Sequence, residues 1–111
     1  MNLVLSKKEQ SVLKKFRNAL EKSIGNNLVE MKLFGSKARG TSKKDSDIDV
    51  LVIIKNGDWH TSDVVYSIVT DIFLEDRVCI SPKVINGRDY NYLQRCSTRF
   101  MRNIIREGIL I

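Results

Sequence analysis

The chain has 111 residues, of which 42% are hydrophobic, and a formal net charge of +6. This length predicts one domain over residues 1–111, with enough apolar side chains for a real core. No apolar run approaches the ~20 residues of a membrane span, and the short apolar start is unlike a signal peptide. We therefore expect a cytoplasmic protein without a membrane segment, in which Cys79 and Cys96 are free thiols.

The positive charge suits nucleotide phosphates, an acidic partner surface or nucleic acid. The basic residues are dispersed along the chain rather than concentrated in one tail, and only 7% of the residues are aromatic. Base stacking on aromatic side chains is a usual feature of single-strand binders. Nucleic acid is thus compatible with the composition but is not favoured by it.

The first half of the chain predicts one helix and two strands. Ser6 and Glu9 form a capping-box pattern, and apolar residues then recur at helical spacing until Gly25. Residues 28–34 alternate between apolar and polar, which predicts a strand that buries Val29, Met31 and Leu33 on one face. Residues 35–46 predict a turn with a short helical segment. Residues 47–54 become continuously apolar after two aspartates, which indicates a central strand covered on both faces.

The second half predicts a helix, a third strand and two short helices. Residues 61–75 carry apolar side chains at helical spacing, namely Val64, Val65, Ile68, Val69, Ile72 and Phe73. Residues 77–85 predict a strand, and Pro82 within it favours an edge position or a bulge. Residues 86–95 predict a short helix. Ser97 is the expected cap of a last helix that ends at Gly108, and the apolar stripe of this helix is predicted to be Phe100, Met101, Ile104 and Ile105. One or two further short strands would fit residues 41–46 or 109–111. The order predicts an α/β or α+β sandwich with a small mixed sheet flanked by helices.

Two aspartates lie at the start of the predicted central strand. Because side chains at i and i+2 of a strand share a face, Asp47 and Asp49 project side by side while Ile48 turns into the core. Two adjacent carboxylates repel each other unless a cation lies between them. Mg²⁺ prefers oxygen ligands and typically takes one or two carboxylates together with substrate phosphates. The pair therefore predicts a Mg²⁺ site for phosphoryl or nucleotidyl transfer, although a solvated strand end is the simpler alternative.

The segment before these aspartates supplies groups that suit phosphate. Gly35 allows close approach of the backbone, and Ser36 offers a hydroxyl beside the N–H groups of a turn. Arg39 and Lys37 add positive charge, as do Lys43 and Lys44. Taken alone, each feature also fits an ordinary surface turn.

The combined pattern resembles a known signature. Gly35-Ser36, Arg39-Gly40, Ser46-Asp47 and Asp49 are similar to the G-S-x-A-R-G…S-D-x-D signature of the nucleotidyltransferase superfamily related to DNA polymerase β. The short chain and its ending "FMRNIIREGILI" resemble the prokaryotic minimal nucleotidyltransferases.

The resemblance implies a function and a set of site residues. It implies binding of ATP or another nucleoside triphosphate with Mg²⁺, and transfer of the nucleoside monophosphate to a protein or nucleic-acid acceptor. Asp47 and Asp49 would be the catalytic and metal-binding residues, and Gly35, Ser36, Arg39 and Gly40 the nucleotide-binding ones. Proteins of this group often pair with a HEPN-domain protein in toxin–antitoxin operons, so a HEPN-type partner is expected.

One element of the family pattern is missing. The resemblance implies a third carboxylate on the neighbouring strand, yet residues 77–85 contain no acid. Ser81 is the expected position of that acid, and Lys83 shares its face. Three explanations stay open: Asp76 or Asp89 reaches the site; the target supplies the base; or the domain binds nucleotide or a partner without efficient turnover.

Overall fold

The computed structural model describes residues 5–39, 47–57 and 59–111. Within them the chain forms five α-helices and four strands. In order these are α1 (Lys7–Ile24), β1 (Leu28–Phe34), α2 (Ser36–Arg39), β2 (Ile48–Ile54), α3 (Trp59–Asp76), β3 (Ile80–Asn86), α4 (Gly87–Cys96), α5 (Arg99–Glu107) and β4 (Ile109–Leu110). Residues 41–46, where an additional short strand was considered, lie outside the described residues.

The strands form one mixed sheet in the order β3-β2-β1-β4. Strand β1 pairs antiparallel with both β2 and β4, whereas β2 and β3 are parallel. The parallel pair is joined by α3, as a crossover between parallel strands requires. The predicted α+β architecture with a small mixed sheet is confirmed, including a short strand at 109–110.

The sheet is covered by helices on both faces, which explains the apolar run of β2. Alternate β2 residues point in opposite directions: Ile48, Val50, Val52 and Ile54 pack with α1 and α3, while Leu51 and Ile53 pack with α4 and α5. The α1 and α3 layer contributes the fully buried Phe16, Leu20 and Val65. The α4 and α5 layer contributes Tyr90, Met101 and Ile104.

Helix ends follow the local chemistry of the sequence, with one correction. The Ser6 hydroxyl accepts from the Glu9 N–H at 3.1 Å, and the Glu9 carboxylate accepts from the Ser6 N–H at 3.0 Å, so the predicted capping box is present. The prediction that Ser97 caps α5 is wrong. Thr98 is the cap and accepts from the Met101 N–H, while Ser97 closes α4 in a left-handed conformation with φ of 50°. Adjacent hydroxyl residues both suit a helix boundary, and sequence alone does not separate them.

Four residues predicted on apolar faces are exposed, namely Val29, Phe73, Phe100 and Ile105. A β-bulge between Leu28 and Glu30 removes Val29 from the alternating pattern, and this side chain is 52% exposed. A bulge adds one residue to a strand and thereby breaks its two-residue period. Phe73 is also exposed, with the Arg77 guanidinium 5.8 Å from its ring centre.

The two outer strands complete the sheet. Strand β3 lies at one edge, as Pro82 predicted, and its register with β2 runs without a bulge from Ile80 to Asn86. At the other edge, β4 pairs with Lys32 and Leu33. Among the described helices, none combines the length and the apolar character needed to cross a lipid bilayer.

Candidate functional site

The antiparallel pairing of β1 and β2 brings the two halves of the sequence motif together. Phe34, the last residue of β1, is the register partner of Asp49 near the start of β2. The chain leaves β1 at Gly35 and enters the short helix α2 directly. The glycine–serine turn and the aspartate pair therefore share one end of the sheet.

The two aspartates differ in their surroundings. Asp47 immediately precedes β2 and is exposed, Ile48 is fully buried, and Asp49 is half-buried. The alternation of the strand directs Asp49 to the face that Leu51 and Ile53 share with α4 and α5. The edge-to-face contact between Phe34 and Phe100, with ring centres 5.6 Å apart, joins α5 to β1 next to this position.

Position 35 requires a glycine for two reasons, namely its backbone conformation and its contact with Asp49. Its φ is +77°, a value that side-chain-bearing residues rarely adopt. A β-carbon there would lie 2.3 Å from Oδ2 of Asp49. This glycine was expected to allow close approach of a ligand to the backbone. In the structure, the group that packs against its backbone is the Asp49 carboxylate.

The expected role of Lys37 in the positive charge of the turn is wrong. It was expected to face a triphosphate, but its ammonium forms a salt bridge with Glu9 of α1 at 2.7 Å. The Lys37 and Glu9 side chains are only 4% and 16% exposed. Lys37 is therefore a buried connection between α2 and α1, and its charge is already neutralised by a carboxylate.

Glu9 is stabilised in its charged form. Burial alone would raise the pKa of Glu9, but the hydrogen bond from Lys37, the hydrogen bonds from Ser6 and the Lys37 charge together lower it below its ordinary value. Sequence reasoning identified Glu9 only as a capping residue. No local signal could have revealed the pair with Lys37, because the two residues are distant in sequence and meet only through the fold.

The other residues predicted for the site are only partly described. Gly40 lies outside the described residues. For Ser36 and Arg39 the structure gives the backbone of α2 and no account of their side chains. Lys43 and Lys44 also fall outside the described part of the chain.

The neighbouring strand, β3, has a serine at the position where the third carboxylate was expected. Ser81 is the direct register partner of Asp49, and in a parallel pair such partners share a sheet face. Lys83, two residues further, is exposed. Cys79 precedes β3, and its carbonyl accepts from the Ile48 N–H at 3.0 Å, which places it beside Asp47.

The two acids considered as substitutes lie elsewhere. Asp76 is paired with Lys15 at 2.9 Å in the layer of α1 and α3, on the opposite face of the sheet from Asp49. Asp89 lies in the first turn of α4, beyond the far end of β3, and its N–H is bound by Asn86. Among the described residues, no cluster of three histidine, cysteine or acidic side chains is arranged to hold a metal ion.

The Cys79 thiol does not replace the missing base. Partial burial raises the pKa of Cys79, and its hydrogen bond to the Asp47 carboxylate adds to the rise. The thiol consequently stays protonated near neutral pH and donates to Asp47. Asp47 and Asp49 are thus the acidic groups that β2 and the residue before it bring to this end of the sheet.

The small mixed sheet, with a glycine–serine turn packed against an aspartate-x-aspartate strand, is the arrangement that the nucleotidyltransferase resemblance implied. The sequence profile of the nucleotidyltransferase domain matches residues 13–101. The chain therefore belongs to the nucleotidyltransferase domain family, and the resemblance drawn from the motif is confirmed.

A relative and two solved structures extend the comparison. A candidate protein adenylyltransferase of Methanocaldococcus jannaschii, MJ0604, is 33% identical over 100 residues, covering 90% of this chain and 94% of the relative. A candidate nucleotidyltransferase from Sulfolobus solfataricus, 18% identical, aligns over 99% of this chain and 86% of its own with a TM-score of 0.63. A toxin–antitoxin structure with AMP-PNP, 17% identical, aligns over 87% of this chain and 70% of its own with a TM-score of 0.53. At these identities the two structures show the shared fold.

Proposed function

We propose that this chain is a Mg²⁺-dependent nucleotidyltransferase that transfers AMP from ATP to a protein acceptor. The observation that carries the proposal is the packing of Gly35 against the Asp49 carboxylate, which joins the glycine–serine turn to the aspartate pair. The relative named as a candidate protein adenylyltransferase supports ATP as donor and protein as acceptor. The toxin–antitoxin structure with AMP-PNP supports an adenine nucleotide and a protein partner, which we propose to be of the HEPN type.

The residues present fit a divalent cation. Asp47 and Asp49 offer carboxylate oxygens from one strand face, and these are the ligands that Mg²⁺ prefers. When bound, Mg²⁺ would neutralise charge on the phosphates and align them for displacement. We propose that the Gly35–Ser36 backbone and the Ser36 hydroxyl hold the triphosphate, with Arg39 and Gly40 completing the turn around it.

The proposed reaction is a displacement at the α-phosphorus. An acceptor hydroxyl oxygen forms a bond to that phosphorus, the bond from it to the bridging oxygen breaks, and pyrophosphate leaves. The hydroxyl proton has to pass to a base. Since Ser81 stands beside Asp49 and the Cys79 thiol is protonated, we infer that the acceptor or solvent takes this proton.

A label-transfer experiment tests this function. The protein is incubated with Mg²⁺, a HEPN-type partner and ATP labelled either at the α- or the γ-phosphate. We expect label on the acceptor from the α position and none from the γ position, because pyrophosphate is released. An Asp47→Asn/Asp49→Asn variant should lose this transfer. Absence of α-label on any acceptor, or equal transfer by the double variant, would contradict the proposal.

A second candidate function follows from the missing third acid. The same fold would then bind nucleotide and partner without efficient turnover. The serine opposite Asp49 supports this alternative, because general-base assistance typically contributes ~10²–10⁴ in rate. Titration with Mg-ATP separates the two functions: binding without pyrophosphate release favours the binding module, and steady release during turnover favours the enzyme.

A further inference from the structure

The two helical layers of the molecule carry very different charge. Helices α1 and α3 together contain six lysines and arginines and six acidic residues. Helices α4 and α5 contain five arginines, no lysine and two acids, Asp89 and Glu107. Of the two helical layers, only the one formed by α4 and α5 therefore carries a net positive charge, which the linear sequence conceals.

The five arginines lie on the outer side of their layer. Tyr90, Met101 and Ile104 turn inward onto the sheet, and all five arginines are exposed, namely Arg88, Arg95, Arg99, Arg102 and Arg106. Within residues 5–39, 47–57 and 59–111, no salt bridge involves any of these guanidinium groups. In the opposite layer, by contrast, Lys15 pairs with Glu75 and Asp76, and Arg17 pairs with Glu21. We name the outer side of α4 and α5 the arginine face.

Three arginines and one asparagine form a polar row along the outer side of α5, and the exposed Ile105 lies beside this row. Arg99, Arg102, Asn103 and Arg106 recur at helical spacing on the side of α5 that points away from Met101 and Ile104. At ~1.5 Å per residue the row is about 10 Å long, which matches about three phosphates of a single strand whose bases stay stacked at ~3.4 Å per nucleotide. Arginine and tyrosine are also enriched in protein–protein interfaces, but those interfaces exclude charge from their buried centre, whereas nucleic-acid interfaces are more polar and much more positively charged.

Aromatic side chains accompany the arginines. Tyr92, 59% exposed, lies one turn from both Arg88 and Arg95 on the outer side of α4, and the partly exposed Phe100 lies at the flank of α5. Aromatic rings beside a basic surface offer stacking for unpaired bases. A second copy of this chain is a poor occupant of the face, since two surfaces of a +6 protein repel each other.

From this arrangement we propose that the arginine face binds single-stranded nucleic acid, with α5 holding the phosphates and Tyr92 available to stack on a base. This function goes beyond nucleotidyl transfer and does not depend on it. Nucleic acid was the less favoured partner from composition alone, and the segregation of the arginines is what changes that judgement.

The test is fluorescence anisotropy with labelled 20-nucleotide single-stranded RNA and DNA, in EDTA and without ATP. About three phosphate contacts predict an affinity that falls roughly 20-fold between 50 and 200 mM salt. The variant Arg99→Gln/Arg102→Gln/Arg106→Gln should bind at least about tenfold more weakly. The matched control Lys8→Gln/Lys14→Gln/Lys22→Gln removes three exposed charges from the opposite layer and should stay within about threefold of the wild type, because it leaves the local phosphate contacts intact.

The outcomes separate this proposal from its alternatives. The measurements with RNA and with DNA show which nucleic acid is preferred, and binding of either one supports the proposal. Equal losses in the arginine and lysine variants, or no salt dependence, would overturn it. A polyglutamate peptide that competes as well as the oligonucleotide would instead assign the face to an acidic protein. Because the assay contains EDTA and no ATP, failure of nucleotidyl transfer and failure of this inference are independent results.

Discussion

The salt bridge between Lys37 and Glu9 connects the proposed nucleotide-binding turn to the first helix. Single substitutions can remove either charge while keeping the other contacts of the side chain. Glu9→Gln abolishes the negative charge while keeping an acceptor for the Ser6 N–H, so the capping box survives. Lys37→Met keeps most of the aliphatic stem in place and removes the ammonium. Each variant leaves one charge of a largely buried pair without its partner.

The expected loss of stability follows from the burial of the pair. Breaking a fully buried ion pair from one side costs about 3–5 kcal/mol. The Glu9 side chain is 16% exposed and keeps some hydration, so we expect about 2–3 kcal/mol for each single variant. The double variant Glu9→Gln/Lys37→Met contains no unpaired charge. It should therefore be no less stable than either single variant, giving a coupling energy of about 2 kcal/mol.

Urea unfolding at pH 7 measures these differences. Lys15→Gln, which removes the solvent-accessible ion pairs of α1 with Glu75 and Asp76, serves as a control and should leave the unfolding midpoint nearly unchanged. Because the pKa of Glu9 is lowered by folding, its contribution is complete above the unfolded pKa and is lost as pH falls through the folded one. The gap between wild type and Glu9→Gln should therefore narrow progressively as the pH falls below about 4. Additive losses in the double variant, or a gap that does not narrow as the pH falls, would refute the reasoning.

Three further predictions concern single positions. Gly35→Ala should lose at least about 2 kcal/mol of stability and about tenfold in nucleotide transfer, because its φ is positive and its β-carbon would meet the Asp49 carboxylate; normal transfer would contradict the proposed site. Ser81→Asp should raise transfer of α-label roughly 10²-fold by restoring an acid beside Asp49, while Ser81→Asn should not; equal rates would mean that no base is missing at this position. Ser97→Gly should stabilise the protein by about 1 kcal/mol in thermal unfolding, since glycine removes the cost of the left-handed conformation; a lower melting temperature would show that the serine hydroxyl matters more.

Much of the fold was predictable because its signals are local. The capping box at Ser6 and the alternation of residues 28–34 are short-range patterns, and α1 and β1 lie where these patterns indicate. Pro82 marked the edge strand because a residue without an N–H is poorly suited to the centre of a sheet. The bulge at Val29 was not predictable, since it depends on the register with β2 rather than on the residues of β1 alone.

For the site, too, the local sequence predicted the candidate residues but not their contacts. The glycine–serine and aspartate motifs are contiguous in sequence, so their types and spacing indicated both a family and a set of candidate residues. Which group each residue contacts depends on tertiary structure: Gly35 packs on Asp49, and Lys37 turns away to Glu9. The concentration of arginines on one face likewise emerges only when α4 and α5 are placed together on the sheet.

Pro82 also has a consequence for how the protein meets other chains. Strand β3 presents the outer edge of the sheet, and an exposed edge invites intermolecular strand addition and aggregation. Proline brings no N–H to the middle of this strand, and the adjacent Lys83 is charged and exposed. A foreign strand could not complete a continuous hydrogen-bonded ladder there. Association through β3 is thereby discouraged, and partners are left to recognise side chains on the helices and at the turn.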